Sequence, residues 1–243
     1  MKWKWLRESE YELRKVFERV FDKQTLMALY KASRKGFFDR LTGIISIGKE
    51  ANVYHGYLQD KEVAVKIYCI EACEFKNMER YIKGDPRFHG WKNRRQLIYM
   101  WAKKEFHNLR KVYQKIKCPE PIGVHKNVLV MSFIGENGKA APKLKEYPPE
   151  KKDAKRYFET IINYIKEMYS TGLIHADLSE YNILNWNNEP WIIDLSTGVL
   201  LEHPLAEEFL RRDIRNICKF FSNFDIKANE EEVLKFVKGY GEI

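Results

Sequence analysis

Apolar positions along this 243-residue chain change period several times, and each change marks an element. Leu13, Val16, Phe17, Val20 and Phe21 recur at helical spacing behind Ser9 and Glu12, a capping-box pair. Asp22 caps a second short helix through Leu26, Leu29 and Tyr30, which stops at Gly36. From Leu41 to Tyr68 the pattern turns to β, in two or three runs broken by Gly48 and by Gln59 to Lys61. A mixed segment follows to Lys117, with WAKKEFHNLRKVY helix-like inside it. The unbroken apolar run Asn127 to Ile134 reads as a buried strand, and 135–149 as a polar, proline-marked connection.

Phe158, Ile161, Ile162, Ile165, Met168 and Tyr169 then form one helical face that ends at Gly172. The tight stretch LIHADLSEYNIL, a turn at Asn187 and Asn188 and the strand WIIDL come next. Two helices close the chain, over Glu207 to Phe221 and, capped by Asn229 with Glu232, through Val233 to Val237. No internal repeat or low-complexity linker interrupts this order.

Composition sharpens the picture. With 44% hydrophobic and 14% aromatic residues, the chain has enough apolar matter for one large domain or two packed lobes. Cys69, Cys73, Cys118 and Cys218 make no CxxC pair and no zinc spacing, which indicates neither a structural metal nor a disulfide framework and predicts a reducing, cytoplasmic setting. No apolar run approaches the roughly 20 residues of a membrane span, and the charged opening lacks the apolar stretch of a signal peptide. The net charge of +9 is uneven: +4 over residues 1–60, +9 over 61–117 and −4 over 118–243. A basic middle fits either a polyanionic partner or a solvated lysine-rich surface.

The chemistry concentrates in His175-Ala176-Asp177-Leu178-Ser179-Glu180-Tyr181-Asn182, followed by Trp191-Ile192-Ile193-Asp194. This string resembles the protein-kinase catalytic loop with the metal-binding aspartate on the next hairpin. Phosphoryl transfer asks little covalent help of a protein; it asks for a carboxylate that orients the nucleophile and oxygen ligands for magnesium. Asp177 suits the first role, and Asn182 and Asp194 the second. Val63-Ala64-Val65-Lys66 matches the kinase strand whose lysine bridges the α- and β-phosphates of ATP. Before it, the small-residue loop Ser46 to Tyr54, with Gly48, Lys49, Glu50, Ala51 and Val53, can offer backbone N–H groups to phosphates. For the acidic partner of Lys66 we favour Glu105 over its rivals Glu71, Glu74 and Glu79, and for adenine the strand end at Ser132, Phe133 and Ile134.

Taken together, SIGKEANVY, HADLSEYN and IIDLS resemble the Rio family of atypical serine kinases, with further likeness in CPEPIGV, VLVMSFIG and HPLAEEFLRRD. The resemblance covers residues 41–221 and points to the first subfamily, because the lead reads as helical where the second subfamily has a winged helix. It implies an α+β, truncated two-lobed protein-kinase-like fold: a helical extension over 1–40, a β-rich N-lobe with a basic insertion over 41–134 and a mainly helical C-lobe over 135–243. It implies ATP with Mg2+, or Mn2+ in its place, and a cytoplasmic role in maturing the small ribosomal subunit, with the precursor particle and its rRNA as partners. The insertion, Lys76 to Arg95, resembles the family's flexible loop. Lys92, Arg94 and Arg95 beside Phe88 and Trp91 are the candidate RNA contacts, and Lys103, Lys104, Arg110 and Lys111 continue the charge along a helix whose spacing puts Lys103, Arg110 and Lys111 near one face.

Three features depart from the expected pattern. Ile47 stands where that subfamily usually has Thr, Ser179 replaces the lysine of ordinary serine kinases, and Leu195 and Ser196 follow Asp194 in place of Phe-Gly, with no APE sequence beyond. Two further readings remain open: a small-molecule kinase of the aminoglycoside type, and a ribosome-assembly module that holds ATP without turnover.

Overall fold

A computed structural model of the chain describes residues 21–70 and 75–241. The helix expected around Leu13 to Val20, and Glu71, Cys73 and Glu74, lie outside the described residues. In chain order the elements are α1 (Lys23–Arg34), β1 (Arg40–Ile47), β2 (Ala51–Leu58), β3 (Lys61–Tyr68), α2 (Phe75–Ile82), α3 (Arg94–Val112), β4 (Pro121–His125) and β5 (Val128–Ser132). They continue with β6 (Gly135–Glu136), β7 (Lys139–Ala140), α4 (Ala154–Ser170), β8 (Leu173–Ile174), β9 (Ile183–Trp186), β10 (Glu189–Ile192), β11 (Val199–Leu200), α5 (Ala206–Ser222) and α6 (Glu230–Val237).

These elements gather into two compact units. The first takes the chain through Phe75, then His89–Phe106 and Glu120–Ala140; the second takes Lys76–Phe88, His107–Pro119 and the chain from Ala141. The basic insertion is therefore shared between units, and α2 makes its first part helical where the sequence suggested a loop.

In the first unit an antiparallel sheet runs in the order β1-β2-β3-β5-β4. Alternation along β3 divides its side chains between two faces. Val63, Val65 and Ile67 join Val128 and Val130 of β5 and Ala28, Leu29 and Ala32 of α1 in a buried cluster. Ala64, Lys66 and Tyr68 take the other face. Helix α1 begins where Asp22 accepts the N–H groups of Gln24 and Thr25 at 2.8 and 3.1 Å, and ends at Lys35 before Gly36, whose φ is 76°. Buried Asn127 ties α1 to the sheet by donating to Thr25 Oγ1 at 3.1 Å and to the Tyr68 carbonyl at 3.0 Å.

The second unit is built on α4, α5 and α6, which pack together around the apolar faces of Phe158, Ile161 and Ile165, of Phe209, Ile214 and Ile217, and of Val233 and Val237. Asn187 and Asn188, with φ of 50° and 59°, make the tight turn of the β9-β10 hairpin. That strand ends at Ile192, so the run expected to Leu195 breaks before Asp194, which adopts a φ of 58°. Among the described residues no helix is long and apolar enough to cross a membrane.

Candidate active site

Each unit carries part of the expected constellation. In the first, Lys66 on β3 is buried at 6% exposure, and its Nζ lies 3.0 Å from Oε1 of fully buried Glu105 on α3. A buried ammonium and carboxylate persist only when paired and hydrogen-bonded, so this contact selects Glu105 as the partner; Glu79 is exposed on α2. Tyr68, two residues along the same face of β3, donates its hydroxyl to the other oxygen, Oε2, of Glu105, and its ring lies 5.2 Å from the Lys66 ammonium. Sequence reasoning missed Tyr68, although the period-2 rule places it on the face of Lys66.

Upstream, the Gly48 N–H donates to the Ala51 carbonyl at 3.1 Å, closing the β1-β2 turn. A Cβ at position 48 would sit 2.8 Å from that carbonyl oxygen, so the turn requires glycine. Lys49 is exposed, Glu50 half-buried with its carbonyl accepting from Cys69 N at 2.9 Å, and Ile47 is 77% exposed. At the end of β5, Ser132 N–H donates to Glu120 O at 2.8 Å and Phe133 N–H to Glu62 O at 3.3 Å. Of the backbone groups expected to meet adenine over Ser132 to Ile134, the N–H groups of Ser132 and Phe133 are thus spent within the sheet.

In the second unit the catalytic-loop string is held from within. His175 is buried and donates from Nε2 to the Ile193 carbonyl at 3.0 Å; burial lowers its pKa. Ala176 takes a φ of 66°, a left-handed conformation that L-residues adopt only where their surroundings impose it. The imposing group is Asp213 of α5, fully buried, whose two carboxylate oxygens accept the N–H groups of Ala176 and Leu178 at 2.8 Å each. Burial raises the Asp213 pKa to about 7 against these hydrogen bonds and the nearby Arg212 charge. Arg212 donates to the Ala176 carbonyl, and Asn216 to the Leu178 carbonyl at 3.0 Å. Arg212 and Asp213 close the stretch HPLAEEFLRRD, but sequence reasoning gave them and Asn216 no role, because locally they are only a polar interruption at i, i+1 and i+4 in an amphipathic helix.

The frame leaves Asp177 pointing outward. Its side chain is 55% exposed and stands 4.0 Å from Arg212; partial desolvation raises its pKa against the opposing charges of His175 and Arg212. Asn182 donates from Nδ2 to the Asp177 carbonyl at 2.8 Å and to its carboxylate Oδ2 at 3.3 Å, which turns the amide oxygen away. The β9-β10 hairpin returns the chain so that Ile193 N–H donates to Asn182 O at 3.0 Å, bringing Asp194 within electrostatic reach of Asp177 and His175.

Among the described residues no group of three or more His, Cys, Asp or Glu side chains converges as a metal site. One carboxylate and one amide oxygen instead suit Mg2+, which keeps water and phosphate in most of its coordination positions. Asn182 and Asp194 would supply that pair to a metal arriving with nucleotide phosphates.

A family model described as the RIO domain matches residues 52–234. The RIO-type serine/threonine-protein kinase Rio1 of Methanocaldococcus jannaschii is 43% identical over 227 residues, covering 93% of this chain and 78% of its own length. The serine/threonine-protein kinase RIO1 of Homo sapiens is 40% identical over 92% of this chain and 41% of its own length. Among solved structures, that of the Rio2 kinase–ADP/Mg2+–phosphoaspartate complex from Chaetomium thermophilum shares the fold, with a TM-score of 0.67 at 23% identity over 87% of this chain and 66% of the other. The chain belongs to the RIO family of atypical serine/threonine-protein kinases.

Proposed function

We propose that the chain transfers the γ-phosphoryl group of ATP in the presence of Mg2+, and that this activity serves maturation of the small ribosomal subunit. The observation that carries the reading is a prepared group of side chains in each unit: Lys66 fixed by Glu105 and Tyr68 in the first, and Asp177 turned outward with Asn182 tied to it in the second. Lys66 pairs with the α- and β-phosphates, and the turn at Gly48 to Ala51 covers them. Ile134 supplies the adenine contact. Bound Mg2+ neutralises charge on the transferring phosphoryl group. Asp177 orients the acceptor and takes its proton.

A second reading, a nucleotide switch, draws support from the chain itself. No Ser or Thr occurs between Ala51 and Met131, so the insertion offers no serine or threonine hydroxyl to its own kinase. Asp194 is then the acceptor: a carboxylate oxygen attacks the γ-phosphorus, ADP leaves, and water later cleaves the acyl phosphate. The phosphoaspartate named in the Chaetomium complex is a group of the same kind.

The test is label transfer from γ-labelled ATP to protein, aminoglycoside and water, with and without small ribosomal subunits. Label on protein and in released phosphate, raised by subunits, is expected; label on the aminoglycoside would overturn the reading.

A further inference from the structure

Asp194 and the turn behind it are pinned from both sides, and the downstream pin comes from an unexpected place. Upstream, Ile193 donates to Asn182 and accepts from His175. Downstream, Gly198 N–H closes a turn onto the Leu195 carbonyl at 3.2 Å. The amide of Asn108, on α3 and 1% exposed, donates to both carbonyls of that turn, to Leu195 O at 2.8 Å and to Gly198 O at 3.1 Å. A Cβ at position 198 would lie 2.8 Å from the Asn108 amide nitrogen, so the approach is as close as glycine allows.

Asn108 is itself oriented by Arg87, whose Nη1 donates to Asn108 Oδ1 at 2.7 Å while Nη2 reaches Gly198 O at 3.2 Å. The guanidinium is aimed by Asp85, whose buried carboxylate accepts from Arg87 Nε at 2.8 Å and Nη2 at 2.6 Å. Asp85 and Arg87 belong to residues 83–93 between α2 and α3, part of the segment read as a flexible basic loop. At Arg87 this segment is anchored, and its positive charge is committed to holding backbone carbonyls.

We propose that Arg87, acting through Asn108, is a positioning residue for Asp194. A non-glycine residue at φ 58° keeps that conformation only where its surroundings over-determine it, and the Arg87–Asn108 pair supplies the downstream half of that constraint. Without it, the turn at Leu195 to Gly198 has its carbonyls released and the Asp194 carboxylate loses its fixed direction. Arg87 touches neither nucleotide nor metal, so its loss weakens metal binding and leaves metal-free nucleotide binding alone. The inference rests on the reading of Asp194 as the ligand of a nucleotide-borne metal.

The test uses the full chain, ADP and Mn2+ as a paramagnetic stand-in for Mg2+. Mn2+ affinity in the ADP complex is titrated by electron paramagnetic resonance, ADP affinity is measured in chelator, and hydrogen exchange is followed at residues 194–198. Arg87→Ala lowers Mn2+ affinity about tenfold or more, as loss of an outer-shell partner does, while chelated ADP binding stays within about twofold and exchange over 194–198 quickens. Asn108→Ala removes the donors without leaving the Asp85 charge unpaired, and decides the matter if Arg87→Ala does not fold. Folded variants that bind Mn2+ as wild type does overturn the positioning role alone. Wild type that binds no Mn2+ with ADP overturns the metal reading of Asp194 and this inference with it.

Discussion

Burial decides what single residues do here. Glu105 has no exposed surface and accepts from the Lys66 ammonium and the Tyr68 hydroxyl, so Tyr68→Phe removes a hydrogen bond from a buried carboxylate. A lost hydrogen bond to a charged group is worth about 1.5 kcal/mol or more, so KM for ATP should rise roughly tenfold while kcat changes less. Kinetics of the Tyr68→Phe variant check this; an unchanged KM would remove Tyr68 from the site. Asp213 gives a pH signature. Its folded pKa of about 7 lies above its ordinary value of 3.8, so the native state holds an extra proton between them. Stability from this group is complete below about pH 4 and is lost as pH rises to about 7, with a slope of up to about 1.4 kcal/mol per unit. Asp213→Asn removes that slope, which urea melts across this range would detect as a flatter stability curve than wild type's.

Among the elements, β3 was the most legible from sequence. Its alternation placed Lys66 opposite the α1 core, and the turn residues Gly48, Asn187 and Asn188 fixed both hairpins. Asp177 and Asn182 were legible because their spacing is local. Less legible was everything that reaches across tens of residues: the choice among four glutamates, the Asp213 hold on the catalytic loop, and the Arg87 anchor, none of which leaves a periodic trace. Helix α3 sorts its cations by face. Lys103, Arg110 and Lys111, which the spacing puts near one face, are exposed, whereas Lys104 is 2% exposed with its ammonium 4.3 Å from the Trp101 ring centre. Arg95 is partly committed too, its guanidinium 3.3 Å from Asp22. Charge reversal at Lys92, Arg94 and Arg95 should still weaken binding to small-subunit RNA and flatten its salt dependence by about one unit of slope per lost phosphate contact, with ATP affinity within about twofold. Filter binding of single and triple variants over a salt series apportions the effect among the three.

At the scale of the whole molecule, the proposed phosphoryl transfer draws on two groups of side chains: Lys66 with Glu105 and Tyr68, and Asp177 with Asn182 and Asp194. Hydrogen bonds within its own unit hold each group, the preorganisation that makes electrostatic catalysis effective. If Asp194 also accepts the phosphoryl group, labelled protein should lose its label to hydroxylamine; resistant label that maps to a serine would favour a hydroxyl acceptor. The most direct measurement is turnover of γ-labelled ATP by wild type, Lys66→Ala and Asp194→Asn, with folding of each confirmed by its thermal melt. The account requires wild-type turnover and a loss on the order of 10² or more in both variants, as expected when a preorganised contact to charged phosphate is removed. Equal turnover in wild type and either folded variant would contradict it.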